Sequence, residues 1–171
     1  MTLTQLNSLS RDEFVRVVGP VFEHSPWIAE AASVKRPFAS MEELHRALCH
    51  IVTNAGEEKQ LALIRAHPDL VGRAALAGTL TPESTREQAS ARLGTLTPEE
   101  IAAFQKSNAA YRKKFGFPFV ICARLNRKEA ILNGFKIRLN NSREQEIKTA
   151  LEEISKIAWL RLQDTITETA G

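Results

Sequence analysis

Helix-start signals, each followed by apolar residues at helical spacing, recur along almost the whole chain and leave little room for anything but an all-α fold. Ser10-Arg-Asp-Glu13 reads as a capping box, in which a hydroxyl at the helix start accepts the third backbone N–H and the acid reaches back to the first. Behind it Phe14, Val17, Val18, Val21 and Phe22 fall at i, i+3, i+4, i+7 and i+8. Ser25-Pro26 is expected to start the next helix, with Trp27, Ile28, Ala31 and Ala32 on its face. Ser40-Met-Glu-Glu43 reads as a further box, with Leu44, Ala47, Leu48, Ile51 and Val52 as its stripe. A helix from about Glu57 to Arg65 must stop near His67, because Pro68 disfavours helical geometry in the residue before it. Boxes at Ser84-Thr-Arg-Glu87 and Thr97-Pro-Glu-Glu100 predict two more helices. The second carries Ile101, Phe104, Asn108, Tyr111 and Phe115 inward and stops at Gly116 and Pro118. Asn126 is expected to cap a helix carrying Ile131, Leu132 and Phe135. Ser142 is expected to cap the last, with Ile147, Leu151, Ile154, Ala158 and Leu162 inward. The extended signal is confined to Phe117–Ala123, a strand with no partner. The expected fold is an all-α, single-domain helical bundle of roughly eight helices over residues 1–171, ending in a frayed tail.

The hydrophobic share of 43% and charged share of 25% exclude disordered and fibrous classes. No apolar run reaches the length of a membrane span. The opening Met-Thr-Leu-Thr-Gln-Leu lacks the basic start and apolar core of a secretion signal, and Ile-Thr-Glu-Thr-Ala-Gly is not a peroxisomal address. Cys49 and Cys122 stand far apart without metal-ligand spacing, so disulfide scaffolds and zinc modules are excluded and a reduced, cytoplasmic protein is expected. Net charge is +3, yet Ile101–Arg143 holds ten Lys or Arg against Glu129 as its one acid. Such asymmetry can mark a nucleic-acid surface. The cations are not interleaved with aromatic stacking positions, however, so a solvated basic face, or a field that draws in a small anion, is the preferred reading.

Three places break the pattern that a helical bundle needs. In Ala66-His67-Pro68-Asp69-Leu70, a histidine is held between a helix end and a proline. It serves either as a C-terminal helix cap or as a general acid or base, whereas His24, His45 and His50 fit ordinary helical faces. The Ser84–Gln88 turn reads as a capping box. It also offers backbone N–H groups, a hydroxyl and a carboxylate together, a grip for a polar heterocycle. Arg161 falls on the apolar face of the last helix, where a guanidinium must snorkel, pair (with Glu87, for example) or bind a substrate. Phe117–Ala123 would be a buried non-helical stretch whose backbone groups need partners, and a ligand is one source of them. There is no Walker loop, GxGxxG, HExxH or Ser-His-Asp arrangement, and Cys122 is a weak candidate nucleophile inside an apolar run.

Several motifs in this order resemble the 2-oxo-4-hydroxy-4-carboxy-5-ureidoimidazoline (OHCU) decarboxylase family across nearly the whole chain. They are Phe-Glu-His-Ser-Pro-Trp (22–27), Arg-Ala-His-Pro-Asp-Leu (65–70), Ser-Thr-Arg-Glu-Gln (84–88) and Asn108–Ala123 with its Phe-Gly-Phe-Pro-Phe core. The resemblance implies an all-helical lyase that needs no metal or other cofactor, usually a homodimer, yielding (S)-allantoin and CO2 in urate breakdown. It implies no nucleic-acid or membrane partner. By position it makes His67 the catalytic acid or base and Glu87 its acidic partner. Pro68, Ser84, Thr85, Arg86, Glu87 and Gln88 would line the substrate together with Phe119, Val120, Ile121, Cys122 and Ala123, and Arg161 would bind it. The residue set suffices chemically because the substrate carboxylate sits beside a ring C=N. The electrons released with CO2 move onto the imine nitrogen, so the substrate holds its own electron sink. Two alternatives remain at this level: a helical nucleic-acid-binding module, and a hydrolase of a related ureide with His67 as base.

Overall fold

The computed structural model describes residues 1–167. The expected frayed tail falls on residues 168–171, outside the described residues. The all-α expectation holds: the described residues form ten α-helices, two short 3-10 turns and no strand, only an isolated bridge between Thr2 and Thr167. Eight helices have seven or more residues; α1 (Leu3–Ser8) and α6 (Arg73–Ala77) are too short to give a readable periodicity.

The chain forms two compact units. The first comprises residues 1–66 and the chain from Ser155 onward. It contains α1, α2 (Arg11–Val18), α3 (Trp27–Ser33), α4 (Met41–Thr53), α5 (Glu57–Ala66) and the second half of α10 (Arg143–Thr165). Its core is mainly aliphatic, with Phe14 among the aliphatic side chains: Leu6, Phe14, Ile28, Leu44, Leu48, Leu63, Ile64, Ala158 and Leu162 are fully buried. Helices α2 and α3 pack on each other, as do α3 and α4. The two ends of this unit meet, with Leu3 N–H donating to Thr167 O (3.0 Å) and Thr167 N–H to Met1 O (2.9 Å).

The second unit runs from His67 to Ile154. It contains α6, α7 (Pro82–Ser90), α8 (Pro98–Phe115), α9 (Lys128–Arg138) and the first half of α10. Its core is aromatic. Tyr111 lies edge-on to Phe119 (5.3 Å between centroids), and Phe119 stacks on Phe135 at 3.9 Å. Phe104 meets Phe135 edge-to-face, the geometry that aromatic quadrupoles favour. Gly116, at φ +79°, lets the chain leave α8 through a left-handed turn.

Capping explains most of the boundaries. The boxes of Ser10 and Thr97 form as read, and Ser142 forms one with Gln145. Ser40 caps α4, but Glu43 reaches the N–H of Ala39 and not that of Ser40. Three expected caps are corrected. The cap of α3 is Pro26, while the Ser25 hydroxyl turns back to Glu23 O. Arg127 precedes α9, and Asn126 instead donates to Cys122 O. Thr81, with Pro82 as the first helical residue, starts α7, so Ser84-Thr-Arg-Glu87 is not a capping box. Proline pre-sets the first helical φ and has no N–H to leave unpaired, so Thr81-Pro82 wins over a start inside the helix.

Candidate functional site

Helix α5 ends at Ala66, and His67 follows at once, buried at 6% exposure. Past Pro68 the chain makes a tight turn that three helical side chains hold. Val71 N–H donates to Gln88 Oε1 of α7 (3.1 Å), and Asn108 Nδ2 of α8 donates to Leu70 O (2.8 Å). Arg112 Nε, also on α8, grips both Asp69 carboxylate oxygens at 3.0 and 3.1 Å. The Oδ1 of Asn108 is buried without a hydrogen-bond partner. Val71 sits at φ +53°, which a β-branched residue adopts only when its surroundings force it. Gly72 completes the turn. A Cβ there would lie 2.6 Å from Asp69 Cβ and 3.1 Å from Asp69 O, so no side chain fits without movement.

On α7, Ser84, Glu87 and Gln88 share one face at i, i+3 and i+4; Ser84 and Gln88 are buried and Glu87 is half-buried. Thr85 and Arg86 are exposed. The Thr85 hydroxyl returns to Thr81 O, and Arg86 stands 3.8 Å from Glu83. The expected open N–H groups of this turn are already in use. Ser84 N–H donates to Thr81 Oγ1 and Thr85 N–H to Thr81 O, because the helix starts ahead of them. What α7 offers is therefore a side-chain face rather than a backbone nest.

Residues 118–122 run without regular structure into a 3-10 turn (Ala123–Leu125) that packs on α7. Phe119, Val120, Cys122 and Ala123 are buried, and Ile121 is half-buried. The stretch packs on α9 at Gly134, where a Cβ would lie at ordinary contact distance, 3.5 Å, from the Phe119 ring. Two buried ionic side chains supply backbone partners, for which a ligand was one candidate source. Arg138 Nη1 donates to Val120 O (2.6 Å), and Cys122 N–H donates to Glu153 Oε1 (3.3 Å). Arg138 also lies over the Phe119 ring (4.2 Å) and pairs with Glu146 (2.7 Å), which accepts Tyr111 Oη–H as well. Burial and that hydrogen bond to Glu146 push the Tyr111 phenol well above its ordinary range, so it stays protonated as a donor. Burial, then the charges of Glu153 and Glu87, raise the Cys122 thiol, so it is a poor nucleophile.

Sequence reading passed over Arg138, Glu146 and Glu153. Their signal was the one that exposed Arg161, a charge on an apolar stripe: Arg138 follows Ile131 and Phe135, and Glu146 and Glu153 flank Ala150. Arg161, in the first unit, is 4% exposed and so does not snorkel. Its Nη1 donates to Glu23 Oε2 (2.9 Å) and Pro20 O (3.0 Å). Glu23, from the Phe-Glu-His-Ser-Pro-Trp motif, is thus the carboxylate that the fold supplies to it. The basic stretch between Ile101 and Arg143 is partly consumed internally: Arg112 pairs with Asp69, Lys128 with Glu100, and Arg138 with Glu146. Among the described residues, no group of three or more His, Cys, Asp or Glu is placed to hold a metal ion, and no helix is long and apolar enough to cross a membrane.

The fold and this constellation define an all-α protein in which a buried histidine precedes a turn braced by side chains of two helices. The OHCU decarboxylase family model matches residues 7–163. A Haloferax volcanii protein named 2-oxo-4-hydroxy-4-carboxy-5-ureidoimidazoline decarboxylase is 44% identical over 164 residues, which span 96% of this chain and 95% of that protein. A crystal structure of (S)-allantoin synthase superposes with a TM-score of 0.78 at 30% identity, covering 97% of this chain and 54% of that one. A crystal structure of OHCU decarboxylase in the presence of (S)-allantoin gives 0.69 at 27% identity, covering 90% and 96%. The chain belongs to the OHCU decarboxylase family.

Proposed function

We propose that this protein is a cofactor-independent carboxy-lyase that converts OHCU to (S)-allantoin and CO2, as a step of urate breakdown. The observation that carries this reading is the 44% identity with a decarboxylase along 96% of the chain. Residues 1–171 act as one catalytic domain, in a cytoplasmic homodimer that takes a small ureidoimidazoline and needs neither nucleic acid nor membrane.

In this reading the protein orients the scissile C–CO2 bond, stabilises charge that moves onto the ring nitrogen, and delivers one proton to one face of the enediol-like intermediate. His67 moves that proton, and its bracing suits the role. The turn after it is tied down by Gln88, Asn108 and Arg112, so the imidazole is carried on a stiff support. Glu87 is the acidic partner. Pro68, Ser84, Gln88 and the Phe119–Ala123 backbone form the walls; Thr85 and Arg86 contribute from the outer side of α7. Arg161 contacts ring or ureido oxygens. A tight grip on the departing carboxylate would stabilise the ground state and slow the reaction.

The test supplies freshly generated OHCU to chelator-treated protein and follows CO2 release and the optical activity of allantoin. Wild-type protein should accelerate both. His67→Asn should lose about two to four decades in rate with its helical circular dichroism intact. Glu87→Gln should be severely impaired although it sits inside α7 and caps nothing. Turnover by His67→Asn at the wild-type rate overturns the assignment, and a ureide hydrolysed without CO2 overturns the reaction.

A further inference from the structure

Outside this constellation, the first unit holds a nucleophile with two partners. His45 and Cys49 stand one turn apart on α4 and face Ser155 of α10. His45 Nε2 is 2.8 Å from Ser155 O. A carbonyl oxygen can only accept, so that nitrogen carries the hydrogen. The same Nε2 lies 3.5 Å from Cys49 Sγ, and Ser155 Oγ lies 3.2 Å from it. That hydrogen points chiefly at the carbonyl and reaches the sulfur only as a long, shared contact. The hydroxyl of Ser155 is thus the nearer donor to Sγ and the imidazole acts on it from close by, surroundings that favour a thiolate. Trp159, one turn beyond Ser155, meets the imidazole edge-on at 5.3 Å and holds the ring in place. Cys49 is partly exposed and is not in a disulfide.

We propose that Cys49 is a covalent modification site that takes small disulfides, with His45 and Ser155 as the groups that activate it. The Cys49 thiolate attacks one sulfur of R–S–S–R and a Cys49–S–S–R bond forms. The original S–S bond breaks, and RS⁻ leaves with the electron pair. Cys49 is oxidised to the mixed disulfide, half of the reagent is reduced, and the thiol proton has passed to solvent.

The electrostatics agree with the geometry. Burial raises the Cys49 thiol, but hydrogen bonds from His45 and Ser155 and the charge of His45 outweigh it, leaving the thiol below its ordinary value. His45 is raised in turn, chiefly by its hydrogen bond with Cys49. Cys122 is the built-in control. It is 1% exposed and pushed the other way, by burial and by Glu153 and Glu87.

The experiment treats the whole folded chain with oxidised glutathione and with a chromogenic aryl disulfide. It locates adducts by peptide mass spectrometry and follows the rate from about pH 5 to pH 9. One adduct per chain is expected, on Cys49, with a rate midpoint below the ordinary thiol value of about 8.5. His45→Gln should move the midpoint up and slow labelling near pH 6 by roughly tenfold. Ser155→Ala should move it the same way by less. A wild-type midpoint at or above the ordinary value, adducts on Cys122 alone, or a profile unmoved in both variants would each overturn the proposal. The wild-type profile decides the matter even where a variant fails to fold.

Discussion

Arg161 and Glu23 stand 138 residues apart and meet with side chains only 4% and 2% exposed. A buried ion pair is worth little against a good apolar replacement, but removing one partner strands the other charge. Arg161→Leu should therefore destabilise the protein by about 3–5 kcal/mol in urea unfolding, while a Glu23→Leu/Arg161→Leu double variant recovers most of that loss. The double variant is also the cleaner functional probe. If Arg161 serves the substrate, turnover stays low although stability returns; if the pair is purely structural, turnover returns with it. The burial of Arg161 was readable from its place on the Ile154–Ala158 stripe, whereas its partner was not. Nothing in a linear pattern says which of the 20 acids will fold against a given guanidinium. Arg138, Glu146 and Glu153 carried the same mark and were missed as a group, because each looks like a helix-surface charge until the stripe around it is drawn.

At the scale of elements, sequence located helices well and their first residues less well. Ser84-x-x-Glu87 satisfies the capping-box pattern, yet Thr81 caps the helix earlier with Pro82 at its first position, and a three-residue shift turns an imagined backbone nest into a side-chain face. The His67–Gly72 turn shows what such patterns cannot express, since its shape is set by contacts from α7 and α8. Gly72→Ala should force Asp69 aside. About 1–3 kcal/mol of stability should be lost by chemical denaturation, with a larger fractional loss of turnover, because the turn carries His67. Where capping did form as read, it predicts an acid response. Hydrogen bonds from Lys128 and from the Thr97 backbone hold Glu100 below its ordinary carboxylate range, and hydrogen bonds from the Ser10 hydroxyl and backbone do so for Glu13. A carboxyl lowered in the folded state adds stability that is present above its unfolded value and is lost as pH falls through the folded one. Helix content followed by circular dichroism should thus decline at the acid end of the carboxylate range. Glu100→Gln, which keeps the cap geometry without the charge, should blunt the response.

For the whole molecule, the all-α class and the eight longer helices follow from periodicity, because apolar stripes at a 3.6-residue spacing must be buried somewhere. The division into two compact units was not readable, since no linker or change of composition marks Ala66 or Ser155. The family match nonetheless runs through both. The bridge between Thr2 and Thr167 has a consequence for how this polypeptide can be cut and joined. When two ends already meet, their covalent order is incidental to the packing, and the break in the backbone can be moved elsewhere. A circular permutant that links the C-terminal residues to Met1 and opens at the exposed Gly94–Thr95 should fold with the parent's cooperativity and midpoint in urea. An insoluble or molten product would mean that an unbroken backbone at Gly94–Thr95 is needed for folding. If the permutant folds, the meeting ends also give this domain a single point of attachment, through which it can be threaded into another protein as an insert without opening its core.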